Sequence, residues 1–202
     1  MAKNNKGFAI NDQQTVFQGY FRLDRYRLTH DLHNGGQSPE LTREVLERGS
    51  VAAVVPYDPV RDEVILIEQF RPGAMAAGWD AWQIEIVAGV IEDGETAEEM
   101  ARRETLEESG CAAKALIHLG RYLSSPGCTS ESVEMFCAHV DTKDAGGIHG
   151  LPSEGEDILV RPTPLDEAFN LLESGKILNS MTLIGLQWLR SQLPEIKTAW
   201  LP

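Results

Sequence analysis

The sequence predicts an α/β protein, with strands along its first half, one acidic helix in its middle and two helices near its end. Three observations lead to this prediction. Apolar and polar residues alternate through residues 15–32, and the apolar runs VAAVVPYD (51–58) and VILIEQF (64–70) have the length and composition of strands. At Thr96 the pattern changes to that of a helix start. The last forty residues hold two segments with helical spacing of apolar residues.

The first strands form a small N-terminal antiparallel β unit. The turn residues HNGG (33–36) separate residues 15–32 from the next apolar and polar alternation, which starts at Leu41. DPVRDE (58–63) then closes a second hairpin, and WQIEIVAG (82–89) is predicted to be one short strand. Strands therefore bring the chain to Gly89.

The acidic helix is predicted over residues 97–109. Thr96 followed by Glu99 three residues later is a capping box, and Gly110 is a typical residue at which a helix stops. Beyond it, KALIHLGRYL (114–123) and VEMFCAHVD (133–141) are predicted strands.

Residues 141–157 form a long polar stretch that is predicted to be a loop. Loops of this length within a compact domain are usually functional or disordered. The two C-terminal helices follow. The first is predicted to start with Thr163 as its cap and Pro164 at its first position, and the second to end before Pro194. The second of these helices has an apolar stripe, which includes Trp188 and is predicted to lie in the core.

Composition excludes several classes of function. A net charge of −13 and a pI near 4.8 disfavour nucleic acid as a partner, because like charges repel. No apolar run approaches the ~20 residues of a membrane helix and no secretory signal is visible, so no membrane partner is predicted and the expected location is cytoplasmic. Three cysteines without CxxC spacing indicate reduced packing residues rather than disulfides or a zinc site. An acidic protein that acts on phosphates would need bridging cations.

Residues 89–111 hold eight acidic residues and two arginines. Glu104, Glu107 and Glu108 lie on one helical face, where like charges repel unless cations neutralise them. Two interpretations remain open from this spacing alone. Either the face is solvated, as predicted for Glu98 and Glu99 with arginines four residues later, or it binds a hard divalent ion such as Mg²⁺.

The full pattern of residues 89–111 resembles that of a known family, and this resemblance favours the metal site. Gly89, five residues, Glu95, seven residues, Arg103 and Glu104, two residues, Glu107 and Glu108, one residue, Gly110 and apolar Cys111 resemble the signature of the Nudix hydrolases. The soft departure is Thr105, where this family has an aliphatic or small apolar residue. The resemblance implies an α/β/α sandwich with a mixed β-sheet, and Mg²⁺-dependent hydrolysis of a nucleoside diphosphate linked to another group.

The flanking segments resemble the bacterial ADP-ribose pyrophosphatase subfamily over most of the chain. They include GYFRLDRYRL, DPVRDEVILIEQFRPGA, WQIEIVAGVIEDGE and GIHGLPSEGEDI, together with Pro126 fifteen residues after Cys111. This resemblance implies cleavage of ADP-ribose into AMP and ribose 5-phosphate. It also implies an N-terminal β-strand dimerisation unit (1–49), a hydrolase domain (50–202), and a homodimer in which the N-terminal region is shared across the interface.

The resemblance assigns roles to individual residues. It places two or more ions of Mg²⁺, or Mn²⁺, on Glu104, Glu108, Glu156 and the backbone carbonyl of Ala88. Glu154 is the expected general base that deprotonates water. Glu107 is a further carboxylate near the metal, and Arg103 is expected to orient Glu104 through an ion pair.

The same resemblance implies the residues that bind substrate. Arg71 suits a diphosphate oxygen, because a guanidinium offers a planar fork. The expected contacts of the terminal ribose and phosphate are Glu131 and the backbone of Ser125, Pro126 and Gly127, and Val90 lines the pocket. The expected contacts of the adenosine end, across a dimer interface, are Tyr20, Phe21, Arg43, Glu44 and Arg48. Tyr20, on an alternating strand, is also open to interpretation as a core residue.

Two alternatives stay open from the sequence. The same chemistry can act on another nucleotide-sugar, such as a GDP-sugar, or the chain can be a non-catalytic module that binds nucleotide-sugars. The intact acidic signature and the missing DNA-binding extension disfavour the second. A transition-metal site at His30 and His33 and a nucleophilic role for Cys128 are both disfavoured, because no further ligands or activating histidine accompany them.

Overall fold

The computed structural model describes residues 7–151, 153 and 155–201. Fifteen elements are formed: β1 (Phe8–Gln18), β2 (Arg22–His30), β3 (Leu41–Glu47), β4 (Ser50–Asp58), β5 (Glu63–Phe70), α1 (Pro72–Ala76), β6 (Trp82–Glu85), β7 (Val87–Val90), α2 (Ala97–Ser109), β8 (Ala115–Leu123), β9 (Ser132–His139), β10 (Gly147–His149), β11 (Ile158–Pro164), α3 (Leu165–Glu173) and α4 (Ser180–Trp200). No described helix has the length and apolar character needed to cross a membrane.

The chain divides into two compact units. The first holds the described residues up to Ser50 together with Leu123–Ser132, and the second holds Val51–Tyr122 and the described part of the chain from Val133 onward. In the first unit, β1, β2 and β3 form an antiparallel sheet. The loop between β8 and β9 belongs to this unit because Leu46 exchanges backbone hydrogen bonds with it, from Leu46 N–H to Cys128 O at 2.8 Å and from Ser130 N–H to Leu46 O at 3.1 Å.

The second unit is built on a mixed sheet with the order β10-β11-β5-β4-β9-β8, with β6 paired to β5 and β7 paired to β4. Successive residues of β4 face opposite sides of this sheet, so Ala53 and Val55 join one core while Ala52 and Val54 join the other. The first core packs against α3 and α4, and the second packs against α2. The predicted α/β class, with helices on both faces of a mixed sheet, is confirmed.

Helix α2 spans the predicted residues, but two strand predictions and two helix boundaries differ from the structure. WQIEIVAG forms two strands, because the N–H of Ile86 donates to Thr182 Oγ1 at 2.9 Å and the chain changes its partner there from β5 to β4. The polar stretch 141–157 contains the short strand β10.

Both C-terminal helices start or end elsewhere than predicted. Thr163 pairs with Val64 in the sheet, so Pro164 becomes the residue that precedes α3. Helix α4 continues through Pro194 to Trp200, because Ile196 is buried in the core and Trp200 packs against it. This burial offsets the hydrogen bond that proline cannot donate. The stripe that includes Trp188 packs on the core, as predicted.

Candidate active site

Helix α2 presents the acidic face in a fixed register, because local bonds hold both of its ends. The Glu99 carboxylate accepts the N–H of Thr96 at 2.8 Å, and the Thr96 hydroxyl oxygen accepts the N–H of Glu99 at 3.2 Å. Gly110 ends the helix at φ 71°, where its N–H donates to Leu106 O. This left-handed conformation favours glycine. The predicted capping box and stop residue are therefore confirmed.

The ion pairs that we predicted within this helix, Glu98 with Arg102 and Glu99 with Arg103, are wrong. Arg102 instead donates to the carbonyl of Ala113 at 2.8 Å, beyond the end of the helix. Glu99 is engaged in the capping box, and Arg103 turns towards a denser set of carboxylates.

Arg103 holds three carboxylates at once. Its Nε and Nη2 atoms donate to Glu95 at 2.9 and 3.1 Å, while Nη1 donates to Glu104 at 2.8 Å and to Glu107 at 3.1 Å. The hydrogen bonds to Glu95 are the main cause that raises the pKa of Arg103. The guanidinium therefore stays charged and fixes the orientation of both Glu104 and Glu107.

Glu108 is more buried than Glu104 and Glu107 on the same helical face, with 2% of its surface exposed. Its Oε2 accepts the N–H of Ala88 at 3.2 Å. Burial first, and then the charge of Glu104, raise the pKa of Glu108 to about 8. Burial likewise raises the pKa of Glu104. Ionisation of these carboxylates is therefore disfavoured by burial and by their mutual repulsion, and a bound cation would favour it.

Gly89 makes room for Glu104. A Cβ atom built on Gly89 would overlap the Glu104 carboxylate and lie 2.7 Å from its Cγ atom. A side chain at this position would therefore require Glu104 or strand β7 to move. The glycine that starts the acidic signature therefore allows close packing of strand β7 against Glu104.

Glu156 lies near this cluster, since its negative charge contributes to the raised pKa values of both Glu104 and Glu108. Its Oε2 accepts the N–H of Leu151 at 2.9 Å. Glu154, the predicted general base, lies outside the described residues. Within the described part of the chain, no three Asp, Glu, His or Cys side chains come together in a group that could hold a metal ion.

Arg71 follows strand β5 and is held by a residue that the sequence reasoning missed. Its Nε and Nη2 atoms donate to Glu85 Oε2 at 2.9 and 2.7 Å, and Gln69 Nε2 donates to the same oxygen at 3.3 Å. Burial lowers the pKa of Arg71, but the bond to Glu85 and the charges of Glu108 and Glu156 outweigh that effect and raise it. The sequence feature that could have indicated this partner is Glu85, a charged residue within the otherwise mostly apolar segment WQIEIVAG.

Val90 and a nearby cavity complete the described surroundings in this unit. Val90 ends strand β7 and is 41% exposed, so it can contact a ligand. A cavity of about 320 Å³ opens beside Arg71 and Glu85 and is also lined by Trp79 and Gln83. This volume lies at the lower end of the range for small-molecule pockets.

The predicted substrate-binding residues of the first unit form two groups. In one group, Arg48 is hydrogen-bonded to the buried carboxylate of Glu131, and its guanidinium carbon lies 5.7 Å from the centre of the Phe21 ring. This arrangement combines a charged fork with an aromatic face. The loop with Ser125, Pro126 and Gly127 precedes Glu131, and the N–H of Ser124 donates to Glu131 O at 3.2 Å.

The other group consists of more exposed residues, Tyr20, Arg43 and Glu44. Tyr20 lies in the turn between β1 and β2 with 92% of its surface exposed, so the interpretation of this residue as core is wrong. Its ring meets the edge of Phe21 at 4.9 Å between centres. Glu44 accepts from Arg25 at 2.7 Å, and Arg43 Nη1 donates to the carbonyl of Thr42.

Comparison with known families gives one match that covers most of the chain. Residues 47–180 match the NUDIX domain. A crystal structure of an ADP compounds hydrolase has a TM-score of 0.72 and covers 94% of this chain and 95% of that chain. Its sequence identity of 23% means that this similarity shows the fold alone.

Curated relatives are more similar in sequence. The ADP-ribose pyrophosphatase of Escherichia coli (strain K12) is 45% identical over 188 residues, which cover 93% of this chain and 90% of that protein. The enzyme of the same name from Haemophilus influenzae is 41% identical over 194 residues, which cover 95% and 89%. A GDP-mannose pyrophosphatase of Cronobacter sakazakii is 33% identical over 179 residues, which cover 86% and 90%.

Proposed function

Because the chain belongs to the NUDIX family, we propose that it hydrolyses the pyrophosphate bond of ADP-ribose to AMP and ribose 5-phosphate with Mg²⁺ as cofactor. One observation supports this function above the others. The buried carboxylate of Glu108, with Glu104 and Arg71 nearby, occurs in a chain that is 45% identical over 188 residues to an ADP-ribose pyrophosphatase. The chain is a hydrolase that acts on pyrophosphate bonds.

The residues present fit a hard divalent cation. Glu104, Glu108, Glu156 and the carbonyl of Ala88 offer only oxygen donors, which Mg²⁺ and Mn²⁺ prefer. The raised pKa values of Glu104 and Glu108 mean that a nearby cation would stabilise their ionised forms. We propose that these four groups hold two or more ions. Ions bound there supply Lewis-acid stabilisation of phosphate charge and lower the pKa of water.

Side chains of the second unit carry the remaining chemistry. We propose that Arg71 binds an anionic oxygen of the diphosphate while Glu85 keeps its guanidinium in place. Glu154 takes a proton from the attacking water, whose oxygen forms a bond to phosphorus as the pyrophosphate P–O bond breaks. Arg103 fixes Glu104 and Glu107 and does not itself contact the reacting atoms. Val90 lines the pocket.

The first unit supplies the recognition of the two sugar ends. We propose that Glu131 with the Ser125–Gly127 loop binds the terminal ribose and phosphate. We further propose that an aromatic and charged set binds the adenosine end, through Tyr20, Phe21, Arg43, Glu44 and Arg48. The exposed ring of Tyr20 and the guanidinium of Arg48 over Phe21 are suited to stacking with a purine.

The first test is a panel of substrates with product identification. We expect ADP-ribose with Mg²⁺ to give AMP and ribose 5-phosphate, with a kcat/KM at least about tenfold above that for GDP-mannose. EDTA should remove the activity and excess Mg²⁺ should restore it. Faster turnover of GDP-mannose would favour the alternative substrate, which the 33% identical relative motivates. Binding of ADP-ribose without turnover would favour a non-catalytic module.

The exposed edge of the first unit supports a proposal about assembly. Strand β1 is an edge strand whose Phe8, Ile10 and Phe17 are 73%, 53% and 59% exposed. Long edge strands with exposed apolar residues tend to pair with another chain. We propose that the first unit is the dimerisation unit of a cytoplasmic homodimer. Light scattering should give twice the chain mass of 22.3 kDa, and a monomer at micromolar concentration would contradict this.

A further inference from the structure

Glu156 lies in the segment between two paired strands. Strands β10 and β11 run antiparallel, and His149 faces Ile158 as the last pair before the loop. Gly150 then approaches Glu156 so closely that a Cβ atom on it would lie 2.7 Å from the Glu156 Cβ. The backbone at Gly150, directly after His149, is therefore in close contact with Glu156.

His149 rests on the end of helix α2. A Cβ atom built on Gly110 would lie 2.7 Å from His149 Cε1, so the imidazole occupies the space over the glycine that ends the helix. The half-buried ring is also fixed by a hydrogen bond between Nε2 and Gly146 O at 3.0 Å. Glu104 and Glu108 lie on this same helix, so close approaches link their helix to His149 and the next residue, Gly150, to Glu156.

The backbone around His149 needs such a contact. Gly146, Gly147 and Gly150 have φ values of 121°, 93° and 97°. These conformations favour glycine, and glycine allows the backbone many alternatives. A ring wedged against Gly110 and bonded to Gly146 removes much of that freedom. His149 is also placed away from the carboxylates themselves. It lines a separate cavity of about 310 Å³ with Gly110, Cys111 and Lys114, and neither Glu104 nor Glu108 borders this cavity.

We propose that His149 is a positioning residue that locks the Glu156 loop to the C-terminal end of α2, and so sets the distance between Glu156 and the carboxylates of the helix. The assignment rests on the proposed function only in treating these groups as one cation site. His149 itself contacts neither substrate nor ion. Its imidazole acts through the backbone at Gly150, by fixing where the loop begins.

The direct test is cation binding to the substrate-free protein, measured with Mn²⁺ by electron paramagnetic resonance. We expect His149→Ala to weaken Mn²⁺ binding about tenfold, because removal of supporting contacts typically costs 10- to 100-fold in metal affinity. His149→Phe keeps a ring over Gly110 and should retain most of the affinity. Unchanged Mn²⁺ affinity in His149→Ala would overturn the proposal. Because no substrate is present, this result does not depend on the proposed reaction.

A second pair of variants separates the contact from general destabilisation. Gly110→Ala and Gly175→Ala both place alanine at a left-handed position, with φ of 71° and 70°, but a Cβ on Gly175 meets nothing within 4 Å. Both should lower Tm by a few degrees. Only Gly110→Ala should weaken Mn²⁺ binding, and adding it to His149→Ala should weaken binding no further. Equal effects of the two glycine variants on Mn²⁺ affinity, or additive effects of Gly110→Ala and His149→Ala, would contradict the coupling.

Turnover provides a further readout in the active enzyme. His149→Ala should lower kcat for ADP-ribose about tenfold or more while KM changes less than about threefold, because the substrate contacts are elsewhere and the cation site is loosened. A raised KM with unchanged kcat would instead make His149 a substrate contact and overturn its role as a positioning residue.

Discussion

Glu108→Gln is expected to abolish hydrolysis of ADP-ribose without destabilising the metal-free protein. The carboxylate is 2% exposed and its pKa is raised to about 8 by burial and by the charge of Glu104. At neutral pH the metal-free protein therefore favours the protonated form, which a glutamine resembles in size and charge. Loss of one anionic oxygen ligand should lower kcat on the order of 10³-fold, since a bound cation contributes several kcal/mol of transition-state stabilisation.

Two measurements check this result. In EDTA, Tm of Glu108→Gln should equal or exceed that of the wild type. Addition of Mg²⁺ should raise the wild-type Tm by mass action and leave that of the variant nearly unchanged. Glu98→Gln is the matched control, because it makes the same chemical change at an exposed position of the same helix. Wild-type turnover in Glu108→Gln, or an equal Mg²⁺ response of Tm, would contradict the assignment of Glu108 to the metal.

The parts of the fold that the sequence predicted well are those that local chemistry determines. Helix α2 begins and ends at the predicted residues because Thr96, Glu99 and Gly110 act within one turn of its ends. The break at Ile86 was not predictable in this way. It depends on Thr182, ninety-six residues later, and on two different partner strands. Helix α4 passes Pro194 for a similar reason, because the burial of Ile196 is a tertiary effect.

The candidate site shows the same division. The spacing within one helix placed Glu104, Glu107 and Glu108 on one face, and Arg103 contacts two of them. The partner of Arg71 required the pairing of β5 with β6, which brings Glu85 to it across fourteen residues. The pairing of Arg48 with Glu131 spans eighty-three residues. Such contacts depend on how distant segments pair in the fold. They therefore cannot be predicted from the sequence pattern of one segment alone.

Gly89→Ala is expected to cause the second large loss of activity, although alanine is a small and ordinary residue for a strand. The added methyl group would overlap the Glu104 carboxylate, and Arg103 donates to the same carboxylate at 2.8 Å. Either Glu104 leaves this position or strand β7 moves away from helix α2, and Ala88 moves with it. Misplacement of catalytic groups by about 1 Å can cost 10²-fold, so we expect kcat to fall about 100-fold.

Gly73→Ala is the control for this change, because it adds the same methyl group where nothing lies within 4 Å and φ is not in the left-handed region. Its kcat should stay within about twofold of the wild type. A double-mutant cycle then isolates the cause. If Gly89→Ala acts by displacing Glu104, it should add little to the loss already caused by Glu104→Gln, because residues that act as a unit are not additive. Full additivity would mean that the methyl group acts on the strand itself, and wild-type activity of Gly89→Ala would show that Glu104 does not need its present position.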